Sequence, residues 1–398
     1  MRVTQNMEQT QFLTALNQLE STISSTQNGL STGLSFTTAS QNPVGAGLVS
    51  GYNQVLAQSQ QYTANGQSAQ GSINIEDNAL TQVQSQLQTL RSLALEANNA
   101  TESPADRSAI ATQVQQIQGT LLSIANTQDG SGDYIFAGYA TQTQPFAASA
   151  TGATYSGDQG QRLVQIGAGQ TVVAADNGDL VFQQIKTGNG TFNVTQGPGN
   201  TGSGIIGATT VTNAAGYNGD PYAINFTTPT TYQVVDTATA AVVGGGTYTS
   251  GQAIAFAGLS VTLSGAPAAL DSFDVTPSTN QSVFTTVQNL ANALQQSSTG
   301  AASEATLNNS IANAINNIDQ ALGQVQTVQS SVGARLNTIT TQQSVATTQQ
   351  TQLTQSITTL QGLNYASAIT NLDSENTTLS ASMQAFTLTQ GLSLFKYL

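Results

Sequence analysis

The chain of 398 residues has no cysteine, no histidine and no tryptophan. Without cysteine there is no disulfide, no thiolate metal site and no thiol nucleophile. Without histidine the commonest general base at neutral pH is missing, and the many hydroxyls have only Lys186 and Lys396 as lysine partners. Charge is scarce as well. Only 7% of residues carry it, seven of them basic, and the formal net charge is −13. No basic residue lies between Lys186 and Arg335. So few cations cannot build a basic patch, which argues against nucleic acid and against an anionic membrane surface as partners. No window approaches the ~20 apolar residues of a membrane span. The opening residues, Met1-Arg2-Val3-Thr4-Gln5-Asn6-Met7-Glu8, lack the apolar stretch of a Sec signal. The expectation is a cytoplasmic protein or one exported by an uncleaved route.

What takes the place of charge is Gln, Asn, Ser and Thr, laid over long helical periodicities. At the front, Phe12, Leu16, Leu19, Ile23 and Leu30 form one narrow stripe. In the tail, Leu353, Ile357 and Leu360 form another. After a phase change at Gly362 the stripe resumes with Tyr365, Ile369, Leu372, Leu379, Met383 and Phe386. Steps of three, four and seven residues make a coiled-coil seam and not the wider face of a globular-core helix. Two seams at opposite ends of a chain can bury each other, leaving the middle as an insertion. Asn376 falls in phase with the tail seam, either as a tolerated polar residue or as a buried asparagine that sets register.

Between the ends, two more helical stretches are expected. Leu80, Val83, Leu87, Leu90, Ala94 and Ala97 keep a seam that Asn98-Asn99 breaks. Ser103-Pro104-Ala105-Asp106 restarts it with a capping residue, a proline suited to the first helical position and a carboxylate placed to reach back. Ile110, Val114, Ile117, Leu121 and Ile124 then run to a stop near Asp129-Gly130. On the far side, Val283, Val287, Leu290 and Leu294 form a short seam, and Ile311 to Ile339 a long one. It weakens at Gln343, Ala346 and Gln350. Residues 44–56 hold too many glycines to assign. Residues 141–280 change period. Short β-branched runs at 163–166, 170–173, 224–226, 232–235 and 258–263 read as strands, with turn signals at 157–160, 176–178 and Gly244-Gly245-Gly246.

Candidate chemistry is thin. Asp129-Gly130-Ser131-Gly132-Asp133 opens like a calcium loop, but Ala140 stands where the twelfth-position glutamate belongs, so a helix-terminal turn is the better reading. Glu76 and Asp77 are adjacent on a helix and face different ways. Asp271 and Asp274 flank a strand start, an ordinary place for aspartate. No catalytic, cofactor or metal residue is assigned, and the chain is not expected to be an enzyme.

Several ordered motifs carry a family resemblance. Leu30-Ser31-Thr32-Gly33 followed by Ser40-Gln41-Asn42-Pro43-Val44-Gly45-Ala46 resembles the amino-terminal signature of the bacterial flagellin superfamily. Asp133-Tyr134-Ile135-Phe136-Ala137-Gly138-Tyr139 and the 155–162 stretch Tyr155-Ser156-Gly157-Asp158-Gln159-Gly160-Gln161-Arg162 are similar to the motifs of its hook–filament junction branch, the hook-associated protein 3 family. The stretches 187–192, 271–277, 280–284 and the terminal 392–398 add to this. Val332-Gly333-Ala334-Arg335-Leu336-Asn337 is similar to the superfamily's carboxy-terminal rod motif. Leu34 and Ser35 stand where the family usually has basic residues, and Gln41 and Asn42 where it has acidic ones. Both departures remove charge, as the whole chain does.

The resemblance implies an α+β multidomain fold with a terminal coiled-coil core, a long α-helical rod and a central inserted all-β domain. The expected boundaries are 1–43 and 344–398 for the core, 44–140 and 281–343 for the rod, and 141–280 for an outward β-rich domain of sandwich or barrel type. It implies an extracellular adaptor ring between hook-associated protein 1 and flagellin, assembled with further copies of itself. It implies export without a cleaved signal, and a cytoplasmic export chaperone on the carboxy-terminal helix. The competing readings are a filament-forming flagellin and an exported β-rich glycan-binding or hydrolytic module.

Overall fold

The computed structural model describes residues 5–99, 102–297 and 299–391, so the terminal motif at 392–398 lies outside the described residues. Among the described residues six α-helices flank a β-rich middle: α1 (Gln5–Thr32), α2 (Pro43–Ala97), α3 (Pro104–Ala125), α4 (Val283–Leu294), α5 (Ala301–Gln361) and α6 (Tyr365–Gly391). The residues up to Ala64, with those from Gln342 onward, form one compact unit, and Asn65–Thr341 form the other.

The unassigned stretch 44–56 is helical, because α2 begins at Pro43. Asn42 accepts a hydrogen bond from the Gly45 N–H at 2.9 Å, and proline fills the first helical position. Gly47 and Gly51 lie on the helix with open space beside them. The start of α3 follows its sequence signal: Ser103 accepts from the Asp106 N–H and the Asp106 carboxylate accepts from the Ser103 N–H, closing a capping box behind Pro104. Gly362 does interrupt the last helices, with α5 ending at Gln361.

Within the second unit one apolar core runs between α2, α3, α4 and α5. Leu80, Leu87, Leu90, Val114, Leu121, Val287, Leu290, Ile311, Ile318 and Val325 are all fully buried in it. It also takes in the first strands. The hairpins β1 (Phe146–Ser149) with β2 (Gly152–Tyr155), and β3 (Leu163–Gly167) with β4 (Gln170–Val173), place Phe146, Ile166 and Val172 against the helices. A π-helical turn at Asp179–Gln183 adds Val181 and Phe182.

The chain then leaves through β5 (Ile185–Lys186) and builds β6 (Phe192–Gln196), β7 (Ile205–Val211), β8 (Tyr222–Thr228), β9 (Thr231–Asp236), β10 (Val242–Thr247), β11 (Ala253–Phe256), β12 (Leu259–Ser264) and β13 (Ser272–Pro277). It returns through β14 (Asn280–Gln281), which pairs antiparallel with β5. A five-stranded sheet in the order β10-β9-β8-β13-β6 faces a three-stranded sheet, β11-β12-β7. Phe192, Ile224, Phe226, Val234, Leu259, Leu263 and Phe273 fill the space between them. Alternation along each strand sends these residues inward. The stretch 141–280 thus holds residues of two cores, with the second starting at Phe192. Two asparagines tie this sandwich to α5. Asn309 accepts from the Ile206 N–H at 2.7 Å and donates to the Gly204 carbonyl at 3.0 Å, and Asn317 accepts from the Gly188 N–H at 2.8 Å.

Gly244-Gly245-Gly246, expected as a turn, is the body of edge strand β10. A bulge precedes it, and a Cβ on Gly245 would meet the Tyr232 carbonyl at 3.0 Å. Glycine here serves close backbone approach and not chain reversal.

Phe273 is fully buried and touches Phe226 edge-on at 6.0 Å. Phe273→Ala should destabilise the sandwich by about 3–5 kcal/mol. Because the helices have a core of their own, urea unfolding followed by tyrosine fluorescence should shift well before the helical circular-dichroism signal does.

Candidate assembly surface and the motif clamp

α1 and α6 lie antiparallel. Phe12 stacks on Phe386 with ring centroids 4.4 Å apart and planes 5° from parallel. Further along, the Thr26 hydroxyl donates to the Glu375 carboxylate at 3.2 Å. At the base, the two turns are stitched together. The Ser35 N–H donates to the Gln361 carbonyl at 2.7 Å, the Leu363 N–H to the Gly33 carbonyl at 2.9 Å, and the Gln361 side chain to the Phe36 carbonyl at 3.1 Å. Gly33 adopts φ +72°, and a Cβ there would lie 2.9 Å from the Tyr365 hydroxyl.

On α1, Ile23 is buried, and Phe12, Leu16, Leu19 and Leu30 are half-buried. Leu353, Ile357 and Leu360 on α5 are half-buried too. On α6 the inward line differs. It runs Ala368, Leu372, Glu375, Leu379, Ser382, Phe386, in alternating steps of four and three. Leu372, Leu379 and Phe386 belong to it, but Ile369, Asn376 and Met383 do not. Asn376 is exposed, so it sets no register within the α1–α6 pair, and the polar group at that level of the seam is Glu375, bonded to Thr26. Helical geometry explains the shift. Positions 368, 375 and 382 neighbour 369, 376 and 383, and a thin seam takes a small or hydrogen-bonded residue as readily as a large one.

The displaced residues make a second line. Tyr365, Ile369 and Met383 are 53%, 51% and 54% exposed. With Asn376 they lie four, eleven and eighteen positions along the helix, within about 40° of one another. In the same unit α2 exposes Val44, Leu48 and Val55 at similar spacing. α6 thus closes one face on its own chain and presents an apolar line on another.

In the second unit the 133–139 and 155–162 stretches bind each other. Ile135, Phe136 and Ala137 are buried, with Phe136 edge-on to Phe182 at 5.2 Å. Tyr134 donates its N–H to the Thr141 carbonyl at 2.8 Å. The Asp158 carboxylate caps the turn, accepting from the Tyr139 N–H at 2.9 Å and the Gly160 N–H at 2.7 Å. Those N–H groups, Tyr139 first, hold its carboxyl below the usual range. The Tyr155 hydroxyl donates to the Asp158 carbonyl at 2.7 Å, and burial pushes the phenol up to about 12, so it stays a donor at any physiological pH. Gly138 has φ +69°, and a Cβ on it would fall 2.3 Å from an Asp158 carboxylate oxygen and 2.5 Å from the Asp158 carbonyl. Asp158 lies inside the 155–162 motif, but its role as the clamp has no local signal.

Arg335 reaches back from α5 to bond the Asp176 carboxylate and the Val173 carbonyl. Asp271 is buried and accepts from the Thr201, Gly202 and Ala268 N–H groups, which makes it a loop clamp. Asp129 accepts from the Ser131 and Asp133 N–H groups in a helix-terminal turn. Among the described residues no cluster of three or more metal-ligating side chains occurs, and no helix is long and apolar enough to cross a membrane.

Comparison with known proteins fits this geometry. Residues 3–141 match the bacterial flagellin N-terminal helical region, and residues 195–277 match the flagellar hook-associated protein 1 D2-like domain. FlgL of Xanthomonas campestris superposes with a TM-score of 0.73 at 31% identity, covering 77% of this chain and 99% of that one. The chain belongs to the FlgL family, the flagellar hook-associated protein 3 family. The flagellar junction protein FlgL from Legionella pneumophila is similar at 32% identity, over 73% of this chain and 98% of its own, with a TM-score of 0.68. Flagellar hook-associated protein 3 of Escherichia coli K12 is 35% identical over 158 residues, 40% of this chain and 49% of that relative. The match thus spans about half the length of that curated relative.

Gly138→Ala and Gly169→Ala separate backbone strain from the clamp. Gly169 has φ +72° with open space around it, so its substitution should cost roughly 1–2 kcal/mol. Gly138→Ala must also displace Asp158 and should cost at least about twice that, read as a lower urea midpoint for the helical unit.

Proposed function

We propose that the chain is a structural, non-enzymatic component of the bacterial flagellum: an adaptor ring that joins the hook, through hook-associated protein 1, to the flagellin filament. Membership of the FlgL family supports this, as does a family relative described as a flagellar junction protein. The observation that carries it is the divided use of α6. One face is closed against α1, while the line through Tyr365, Ile369 and Met383 stays apolar and open. A ring member contacts unlike surfaces above, below and beside it, so it needs apolar lines beyond the seam that closes its own helix pair. In this reading 1–43 and 344–398 form the inner core, 44–140 and 281–343 the rod, and 141–280 the outward domain. The chain is exported to the cell exterior without a cleaved signal, and an export chaperone covers the carboxy-terminal helix until assembly.

Immunogold labelling of intact flagella with antibody to residues 192–277 tests the reading. A single band where hook meets filament is the expected result. Label along the whole filament would make the chain a flagellin instead, and signal confined to other parts of the cell would reject both.

Lysine at Ile369 and Met383 separates folding from assembly. Both sites are exposed, so the double variant should leave the monomer's urea midpoint within the equivalent of about 0.5 kcal/mol. Incorporation into flagella, scored by motility and by label at the junction, should fall sharply. Unchanged incorporation would remove this line from the assembly surface.

A further inference from the structure

Glu76 is the most buried charged side chain of the second unit, with no exposed surface. It sits on α2 between the core residues Ile73 and Ala79. Two charged groups face it: Arg335 from α5, with its guanidinium 3.9 Å from Glu76 Oε2, and Asp176 from the segment after β4. Its helical neighbour Asp77 is half-exposed. Arg335 is committed elsewhere, to the Asp176 carboxylate and the Val173 carbonyl. Glu76 Oε1 accepts from the Asp176 N–H at 3.1 Å, while Oε2 is buried without a hydrogen-bond partner.

Two carboxyl groups therefore share one guanidinium out of water. Ionising both leaves a net negative charge in a low-dielectric site, where Oε2 has no hydrogen bond and only the shared guanidinium 3.9 Å away to stabilise it. A proton on Glu76 makes the cluster neutral. We infer that Glu76, Asp176 and Arg335 form a proton-dependent lock that holds the 174–178 segment onto α2 and α5 and releases it when Glu76 loses its proton. That segment carries the motif clamp with it: the Gly178 N–H donates to the Phe136 carbonyl at 2.8 Å, Asn177 to the Gln159 carbonyl at 3.0 Å, and the Ala174 N–H to the Arg162 carbonyl at 2.9 Å. Loosening it loosens the join between the two junction motifs and the rod helices.

Composition makes the lock the chain's own sensor near neutrality. With no histidine and no cysteine, no side chain here has an ordinary titration range between about pH 5 and 9. Burial first, and the nearby Asp176 carboxylate second, push the Glu76 carboxyl up from 4.5 to about 8. The folded state then holds a proton that the unfolded chain gives up at about pH 4.5. Stability from this group is complete below that value and falls as pH rises towards 8, above which no further loss follows.

The test is urea unfolding of the full-length chain from pH 5 to 9.5, beside Glu76→Gln. For the unmodified protein the unfolding constant should rise by up to about tenfold per pH unit across the window and level off above pH 8. Glu76→Gln keeps an acceptor for the Asp176 N–H but carries no proton to lose, so its profile should change less than about twofold per unit. Amide exchange at 174–178, corrected for intrinsic base catalysis, should speed up above pH 8 only in the unmodified chain. Asp176→Asn leaves one carboxylate for one guanidinium and should move the loss of stability to lower pH, which keeps the test open should Glu76→Gln fail to fold. Parallel profiles for the unmodified chain and Glu76→Gln, or an Asp176→Asn profile matching the unmodified one, would overturn the inference.

Discussion

A helix near one end of this chain closes on a helix near the other, and every part between them has to respect that closure. Thr26 and Glu375 touch across 349 positions of sequence. Loop-closure entropy grows only slowly with length, so a long insertion between paired ends costs little more than a short one. What the closure does demand is that each excursion return to where it left. The Ser35–Gln361 and Leu363–Gly33 backbone bonds satisfy this at the base of the terminal pair. The β5–β14 pair satisfies it again where the sandwich leaves and rejoins the helices. Nested returns of this kind let the middle of the chain vary in size without disturbing the ends.

The second consequence concerns strength. The α1–α6 seam is thin: among the described residues Ile23 and Ala368 are buried, Phe12 and Phe386 stack, and the other side chains of the two lines are half-buried. Partial burial of a leucine is worth ~1 kcal/mol, and an isolated helix of this length is marginal in water. The helical core of the second unit is of another kind, with fully buried aliphatic residues on four helices and a cluster of phenylalanines. In the first unit, polar contacts also join α5 to α2. Gln350 donates to Ser59 and Thr63 at 3.2 and 3.1 Å, at one of the positions where the apolar repeat lapses. A subunit with a firm centre and lightly held ends suits a protein whose ends are completed by neighbours, the role proposed above.

Scarcity of charge runs through both units and changes what the remaining charges do. Asp158, Asp271 and Glu375 each work as acceptors for nearby donors, and Arg335 ties a strand exit to a helix. These are local fastenings and not a field, since twenty acidic and seven basic residues over 398 positions leave long neutral surfaces. Neutral amide and hydroxyl surfaces can approach copies of themselves without strong like-charge opposition.

Much of the architecture was legible in the residues themselves, because helix and strand periods, caps and breakers act locally. The capping box at Ser103, the break at Gly362, the strands around Ile224 and Val261 and the α1 line through Phe12 and Ile23 all follow from spacing. Asn42-Pro43 was an equally local signal for the start of α2, obscured by the glycines after it. Other features were decided only in three dimensions. Two candidate lines lie side by side on α6, and only packing against α1 selects Ala368, Glu375 and Ser382 over Ile369, Asn376 and Met383. Gly244–Gly246 became an edge strand because β9 was there to pair with it. Glu76 acquires its setting from Asp176 and Arg335, 100 and 259 positions away along the chain. Local rules determine what each segment becomes, but which face is buried and which charges meet depend on neighbours that sequence distance does not reveal.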